Sequence, residues 1–230
     1  MAATAGRLIG IDGYRGGWVG AAWFDGRLEW RTARVGSFSD LIADAEWACV
    51  DMPVGLTDRG WRACDVRAKE LLGTARSRVF MTPPRAVVDL GLSAPNVDAQ
   101  RLARELTGQG VSRQALALSS RILDVDSCLP DSRILEVHPE LSFQRMAGRV
   151  LPSKKEARGI ACRIESLLSS MTDVDTLAAL QCAPPDAPID DCLDALAALW
   201  TARRHAQGQS TAILEDPDID ARGTAMQMAI

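Results

Sequence analysis

Gly10-Ile11-Asp12-Gly13-Tyr14-Arg15-Gly16-Gly17-Trp18 joins two apolar runs through an aspartate and a set of glycines. Leu8, Ile9 and Ile11 lead into it, and Trp18 to Phe24 leads out. Side chains along a strand alternate between faces. Ile9 and Ile11 therefore share one face, and Leu8 and Asp12 the other. Asp12 is expected at the end of the first strand, where a carboxylate stays wet. Gly13, Gly16 and Gly17 permit backbone angles that other residues resist, and let a ligand approach the main chain. Alone, the fragment also reads as a hairpin turn with a polar tip. Two further acidic sites downstream change its meaning.

Residues 7 to 12, 17 to 24 and 27 to 33 are expected as strands, with Phe24-Asp25-Gly26-Arg27 a tight Asp-Gly turn. Ser37 to Ala43 starts a helix with serine caps on offer. Trp47 to Val50 is a short apolar run that ends at Asp51-Met52-Pro53. Three strands, a helix and a further strand open an α/β domain. Residues 56 to 130 are different: basic, turn-rich and mostly helical, with helix-like spacing over Arg62 to Leu72 and Asp98 to Leu106. Arg76-Ser77-Arg78-Val79-Phe80-Met81-Thr82-Pro83-Pro84-Arg85 between them reads as a loop. No linker sets this segment apart, so it is expected as a helical insertion within one domain. Arg133 to His138 reads as a strand, and Pro139 opens a helix through Met146 that Gly148 ends. Lys154 to Leu168 and Val174 to Leu180 read as helices, and the final helix runs from about 190 to 206. Residues 215 to 230 show no clear pattern and are expected as a loose tail.

With 230 residues, 47% hydrophobic, the chain can bury a sizeable core. No apolar run approaches the 18 or so residues that span a bilayer, and the N-terminus lacks a signal-peptide pattern. A cytoplasmic location with no membrane partner is expected. The cysteines form no C-x-x-C pair, which argues against zinc or a disulfide framework and for buried free thiols. The net charge of −4 argues weakly against a general nucleic-acid binder. Yet residues 59 to 158 hold 17 basic and 11 acidic side chains. Most of the basic residues are arginine, which suits bidentate phosphate contacts.

Three acidic sites fall at informative places. Asp12 ends the first strand, Asp51 ends the fourth, and Asp191 and Asp194 lie on the last helix. There Leu193, Leu196, Ala197 and Trp200 form a packing stripe, with Asp191 and Asp194 about 60° apart on a neighbouring face. Acids at a helix start cap it and complement its dipole. That accounts for Asp191 better than for Asp194, a turn further in. Carboxylates gathered from separate elements repel unless a cation sits among them. Hard oxygen ligands favour Mg2+ or Mn2+, and two such ions can clamp the attacking and leaving oxygens of a phosphoryl transfer.

The β-β-β-α-β order, with Asp12 and Asp51 on its first and fourth strands, resembles the ribonuclease H-like superfamily. Asp191-Cys192-Leu193-Asp194-Ala195-Leu196 resembles the D-x-x-D-A-L helix of Holliday-junction resolvases. Most of the chain resembles the family called domain of unknown function 429, described as predicted ribonuclease H-like nucleases. The matching pieces are Gly10-Ile11-Asp12-Gly13, Gly16-Gly17-Trp18, Asp51-Met52-Pro53, Ser77-Arg78-Val79-Phe80 with Thr82-Pro83, Glu136-Val137-His138-Pro139-Glu140, Ser142-Phe143, Lys154-Lys155 and Asp191-x-x-Asp194. The resemblance implies a mixed five-stranded sheet flanked by helices, with a helical insertion after the fourth strand. It implies a metal-dependent nuclease acting on DNA or RNA, with metal carboxylates at Asp12, Asp51 and Asp191 or Asp194.

Glu136 is a candidate further carboxylate of that site. His138 and Glu140 are candidate acid or base groups, or alternatively a cap and a dipole partner for the next helix. Arg76, Arg78, Arg85, Lys154 and Lys155 are candidate phosphate contacts, or alternatively solvated charges. His205 lies roughly 16 Å beyond Asp194 along the helix, too far to share a metal. Two other functions fit the same start: an actin-like ATP-dependent phosphotransferase or ATPase, and a non-catalytic nucleic-acid or protein binding module. The oligomeric state is not legible.

Overall fold

A computed structural model describes residues 6–91, 93 and 96–230. The strands among them are β1 (Arg7–Tyr14), β2 (Gly17–Phe24), β3 (Arg27–Ala33), β4 (Ala45–Val50), β5 (Ile134–Val137) and β6 (Met228–Ala229). The α-helices are α1 (Phe38–Ile42), α2 (Ala63–Leu72), α3 (Arg85–Leu90), α4 (Asn96–Thr107), α5 (Arg113–Ala117), α6 (Ser119–Asp126), α7 (Pro139–Ala147), α8 (Ala157–Ser170), α9 (Thr176–Gln181) and α10 (Ile189–Ala206). The strands form one mixed sheet in the order β3-β2-β1-β4-β5-β6. The sequence predicts five strands; the sixth is two residues long, too short for periodicity to show. No helix among the described residues is long and apolar enough to cross a membrane.

The chain forms two compact units. The first holds the chain up to Asp51, together with Ser132–Thr211 and Ala229–Ile230. Here β2 is antiparallel to β1 and β3, while β4 runs parallel to β1 and β5 parallel to β4. Asp25 and Gly26, both at positive φ, make the tight turn between β2 and β3 that the Asp-Gly pair predicts. The β1–β2 ladder continues to Tyr14 opposite Gly17. Asp12 therefore lies inside a strand, not at its end.

Helix α10 organises this unit. Every residue from Cys192 to Ala202 is buried, because the helix packs on β1, β2 and β4 and also against α7 and α8. A helix covered all round needs small or apolar residues all round, and the expected Leu-Trp stripe is only part of that. Contact with the sheet is made by a different face. A Cβ placed on Gly10 would lie 1.9 Å from the Leu199 nitrogen and 2.3 Å from the Ala195 oxygen. Helix backbone and strand backbone thus meet directly, across glycine on one side and alanine on the other.

The second unit holds Met52–Asp131 and Ala212–Met228. It is helical, with Val87, Ala99, Ala103, Val111 and Leu116 clustered beside Trp61. Arg76 and Arg78 belong to a 3-10 helix over Gly73–Arg78, not to the expected loop. Much of the stretch expected as a loose tail carries defined hydrogen bonds. The Asp220 carboxylate accepts the backbone N–H groups of Leu56, Arg222 and Thr224. Arg85 donates to both oxygens of Asp126, at 2.7 and 3.1 Å, and to Asp220 at 3.0 Å.

Two substitutions separate backbone from side-chain crowding. Gly10→Ala is expected to cost about 3 kcal/mol, because helix backbone cannot yield as a rotamer can. Gly20→Ala meets only the end of Ile9, at 2.9 Å, and is expected to cost less than about 1 kcal/mol. Urea unfolding of both variants measures the difference; equal costs would remove the close-approach argument. Arg85→Ala leaves Asp126 and Asp220 short of a partner and is expected to cost about 2 kcal/mol, read by the same unfolding curves.

Candidate metal centre

Strands β1 and β4 bring the first two carboxylates together. Their parallel ladder runs up to Ile11 opposite Val50, and the Asp51 N–H donates to the Ile11 carbonyl at 3.0 Å. Asp12 and Asp51 therefore leave adjacent strands at the same level. Gly10 and Asp12 share the face on which α10 lies, and Asp194 immediately precedes Ala195, one of the residues against Gly10. The result is a cluster: Asp12, Asp51 and Asp194 each offer an oxygen, all within 4.8 Å of one another. Asp12 and Asp194 are 6% and 3% exposed, and Asp51 is partly exposed.

Two of the three carboxylates are held by the chain. Asp12 Oδ1 accepts the Gly13 N–H at 2.6 Å. Asp194 Oδ2 accepts from Lys154 Nζ at 2.5 Å. Its other oxygen, Oδ1, is buried with no hydrogen-bond partner. Burial without a partner is costly for a carboxylate oxygen, so this atom points to an occupant that the protein chain does not supply. Hard oxygens within 4.8 Å of one another could hold a divalent ion such as Mg2+ or Mn2+.

The electrostatics agree. Burial, then Asp51, Asp194 and Asp191, push the Asp12 carboxyl well above its ordinary value, with Lys154 opposing. Burial and Asp194 do the same to Asp51. Asp194 is raised by burial, against the pull of Lys154. Lys154 loses water, which favours its neutral form, yet Asp194, Asp12 and Asp51 outweigh this and raise its pKa.

The remaining candidates divide. Asp191, partly exposed, and Glu136, buried, lie outside the trio. Glu136 pairs in register with Val50, and Val50 with Ile11, so by alternation it shares their face and not that of Gly10 and Asp12. Its charge still raises Asp51 through space. His138 occupies the N-cap position of α7, but its side chain makes no capping hydrogen bond. Glu140 is bound by Arg163 at 2.5 Å. Lys154 and Lys155 precede α8, which starts later than expected, at Ala157. Lys154 turns into the carboxylates, and Lys155 is exposed. In the second unit Arg76 is exposed, Arg78 partly buried, and Arg85 committed to aspartates. His205 is half-buried against Trp47, with Nδ1 2.8 Å from Ser210 Oγ. The six cysteines are free, but only Cys49, Cys64 and Cys192 are buried, and Cys182 is exposed.

Arg163 is the residue that sequence reasoning missed. It is fully buried, and besides Glu140 it holds the carbonyls of Pro152 and Gly159. The signal was its spacing, three residues after Ile160 and four before Leu167, on the apolar face of α8.

Residues 10–219 match the family model described as Protein of unknown function (DUF429). No curated protein and no solved structure matches the chain.

The raised Asp12 carboxyl has a pH signature. A carboxyl with a higher pKa in the folded state binds more protons folded than unfolded. Its contribution to stability is present at low pH and is lost as pH rises through the raised value. In chelator, wild type is expected to lose stability relative to Asp12→Asn as pH climbs above the ordinary 3.8. The slope of that difference approaches about 1.4 kcal/mol per pH unit for one proton. Urea unfolding across the range, with both proteins in parallel, measures it; a flat or reversed difference would contradict the clustering.

Proposed function

We propose that this chain, which belongs to the DUF429 family, is a divalent-metal-dependent nuclease built on a ribonuclease H-like fold, hydrolysing phosphodiester bonds of DNA or RNA. The observation that carries the reading is the Asp12–Asp51–Asp194 cluster, three carboxylates from three separate elements within 4.8 Å, with a buried Asp194 oxygen lacking a hydrogen bond. The β-β-β-α-β order and the adjacency of β1 and β4 support the fold assignment. A cluster of this kind is expensive to keep, and such local violations concentrate where function needs them.

Asp12, Asp51 and Asp194 would hold the ion. When bound, Mg2+ or Mn2+ supplies Lewis-acid activation and neutralises charge on a phosphoryl group. The chain's own contribution is orientation. The Gly13 N–H fixes Asp12. The Asp51 N–H, bonded to Ile11, fixes the start of the segment beyond β4. Lys154 fixes Asp194 and opposes the rise that burial imposes on its carboxyl. Glu140 is engaged by a buried arginine, which argues against a role for it in proton transfer. Of the candidate phosphate contacts, Arg76 and Lys155 are the exposed ones.

Mg2+ or Mn2+ at a hundred times its dissociation constant is expected to stabilise the protein by about 2.7 kcal/mol. Asp12→Asn should abolish both that gain and any ion-dependent cleavage of single- or double-stranded DNA and RNA oligonucleotides. ATP turnover without cleavage would instead make the protein an actin-like phosphotransferase or ATPase. Nucleic-acid or protein binding that survives Asp12→Asn, with no turnover, would make it a binding module. Thermal unfolding and gel assays on the two proteins decide among these outcomes.

A further inference from the structure

Lys154 differs from an ordinary surface lysine in three ways. Its ammonium touches Asp194 Oδ2 at 2.5 Å and lies 3.7 Å from Asp190 Oδ2. Its charge also acts on Asp12 and Asp51. And the loop that carries it is pinned from inside the protein. Arg163, itself fully buried, donates from Nη1 to Pro152 O at 2.9 Å and to Gly159 O at 2.8 Å, one on each side of Lys154, while Glu140 Oε1 accepts from Nη2. The Glu156 N–H closes the turn onto Ser153 O at 3.0 Å. Gly159 makes this possible, since a Cβ there would stand 1.9 Å from the same Ser153 oxygen. A lysine on a floating loop spends rotamer freedom to reach a carboxylate; here much of the backbone part is already fixed.

We propose that Lys154 is the resident cation of the acidic site, filling the role of a second divalent ion, so that the protein takes one ion where the bare carboxylates would take two. The inference rests on the metal-site reading above. Its logic is charge and space. Within the cluster itself, three carboxylates, one ammonium and one divalent ion sum to zero, with Asp190 and Asp191 adding negative charge at its edge. A second divalent ion would have to compete with the ammonium for Asp194 Oδ2 and add like charge where the ammonium already sits. Asp194 is correspondingly divided: Oδ2 belongs to Lys154, and Oδ1 is left without a hydrogen bond. Arg163 is then a positioning residue, holding the loop from which the ammonium projects.

The test counts ions. Mn2+ binding to wild type, Lys154→Met and Lys154→Arg is measured by calorimetry and by the spin-resonance signal of free Mn2+. Wild type is expected to bind one ion per chain. Lys154→Met should bind a second ion, or bind the first at least about tenfold more tightly, and gain more thermal stability from Mn2+ than wild type does. Lys154→Arg, which keeps the charge, should follow wild type. No binding to wild type with one ion on Lys154→Met would uphold the resident cation and defeat the metal-dependent function. Equal stoichiometry and affinity in wild type and Lys154→Met would overturn the proposal. So would two ions on wild type, a count that holds even if Lys154→Met proves too unstable to purify.

Discussion

The close contact between Gly10 and the backbone of α10 is the constraint on which the rest of the first unit depends. A helix laid on a sheet is normally held off by side chains on both surfaces. Here one surface has no Cβ and the other offers Ala195 and Ala198. The gain is not only apolar burial. Asp12 lies two residues beyond Gly10, and Asp194 one residue before Ala195, so the approach that buries the glycine also draws the two carboxylates together. The parallel neighbour β4 adds Asp51 at the same level. Each backbone element arrives for ordinary packing reasons, and the acidic cluster is the consequence.

Such a cluster opposes folding. Three carboxylates with little water around them favour protonation, and burial is the largest cause at each. The main opposing attraction comes from one ammonium, with a lesser pull from Arg163 on Asp194, and the loop that carries the ammonium is held by Arg163 of α8, itself paired with Glu140 on α7. Since α7 and α8 also cover the outer side of α10, the elements that press the helix onto the sheet are the same ones that aim the lysine. Packing and electrostatics at this site are therefore not independent, and substitutions in α7 or α8 act on both.

The parts of this arrangement that were legible in the sequence are those governed by local periodicity. Strand alternation placed Asp12 opposite Ile9 and Ile11, and helix spacing set Asp194 apart from Leu193 and Leu196. What stayed hidden depends on partners far away in the chain. Alternation put Glu136 and Val137 on opposite faces of β5, but only the register with Val50 shows which face is turned from Asp12. Lys154 read as the start of a helix because nothing near it in sequence reveals the grip of Arg163. Residues 212 to 228 carry no periodic pattern because their order comes from single hydrogen bonds, such as those gathered by Asp220, and not from a repeating apolar face.

Asp12 and Asp194 are separated by 182 positions, and α10 meets β1 only after nearly all of the intervening chain exists. At ordinary ribosomal speeds, roughly 5–20 residues per second, that interval is on the order of ten to forty seconds. For most of it the nascent chain carries Asp12 and Asp51 but not Asp194, while the central strand offers an uncovered glycine face where α10 will dock. The half-made protein is thus at once without its complete acidic centre and open on the face that α10 covers in the finished fold. Sealing that surface and completing that centre are one event, the docking of a single helix.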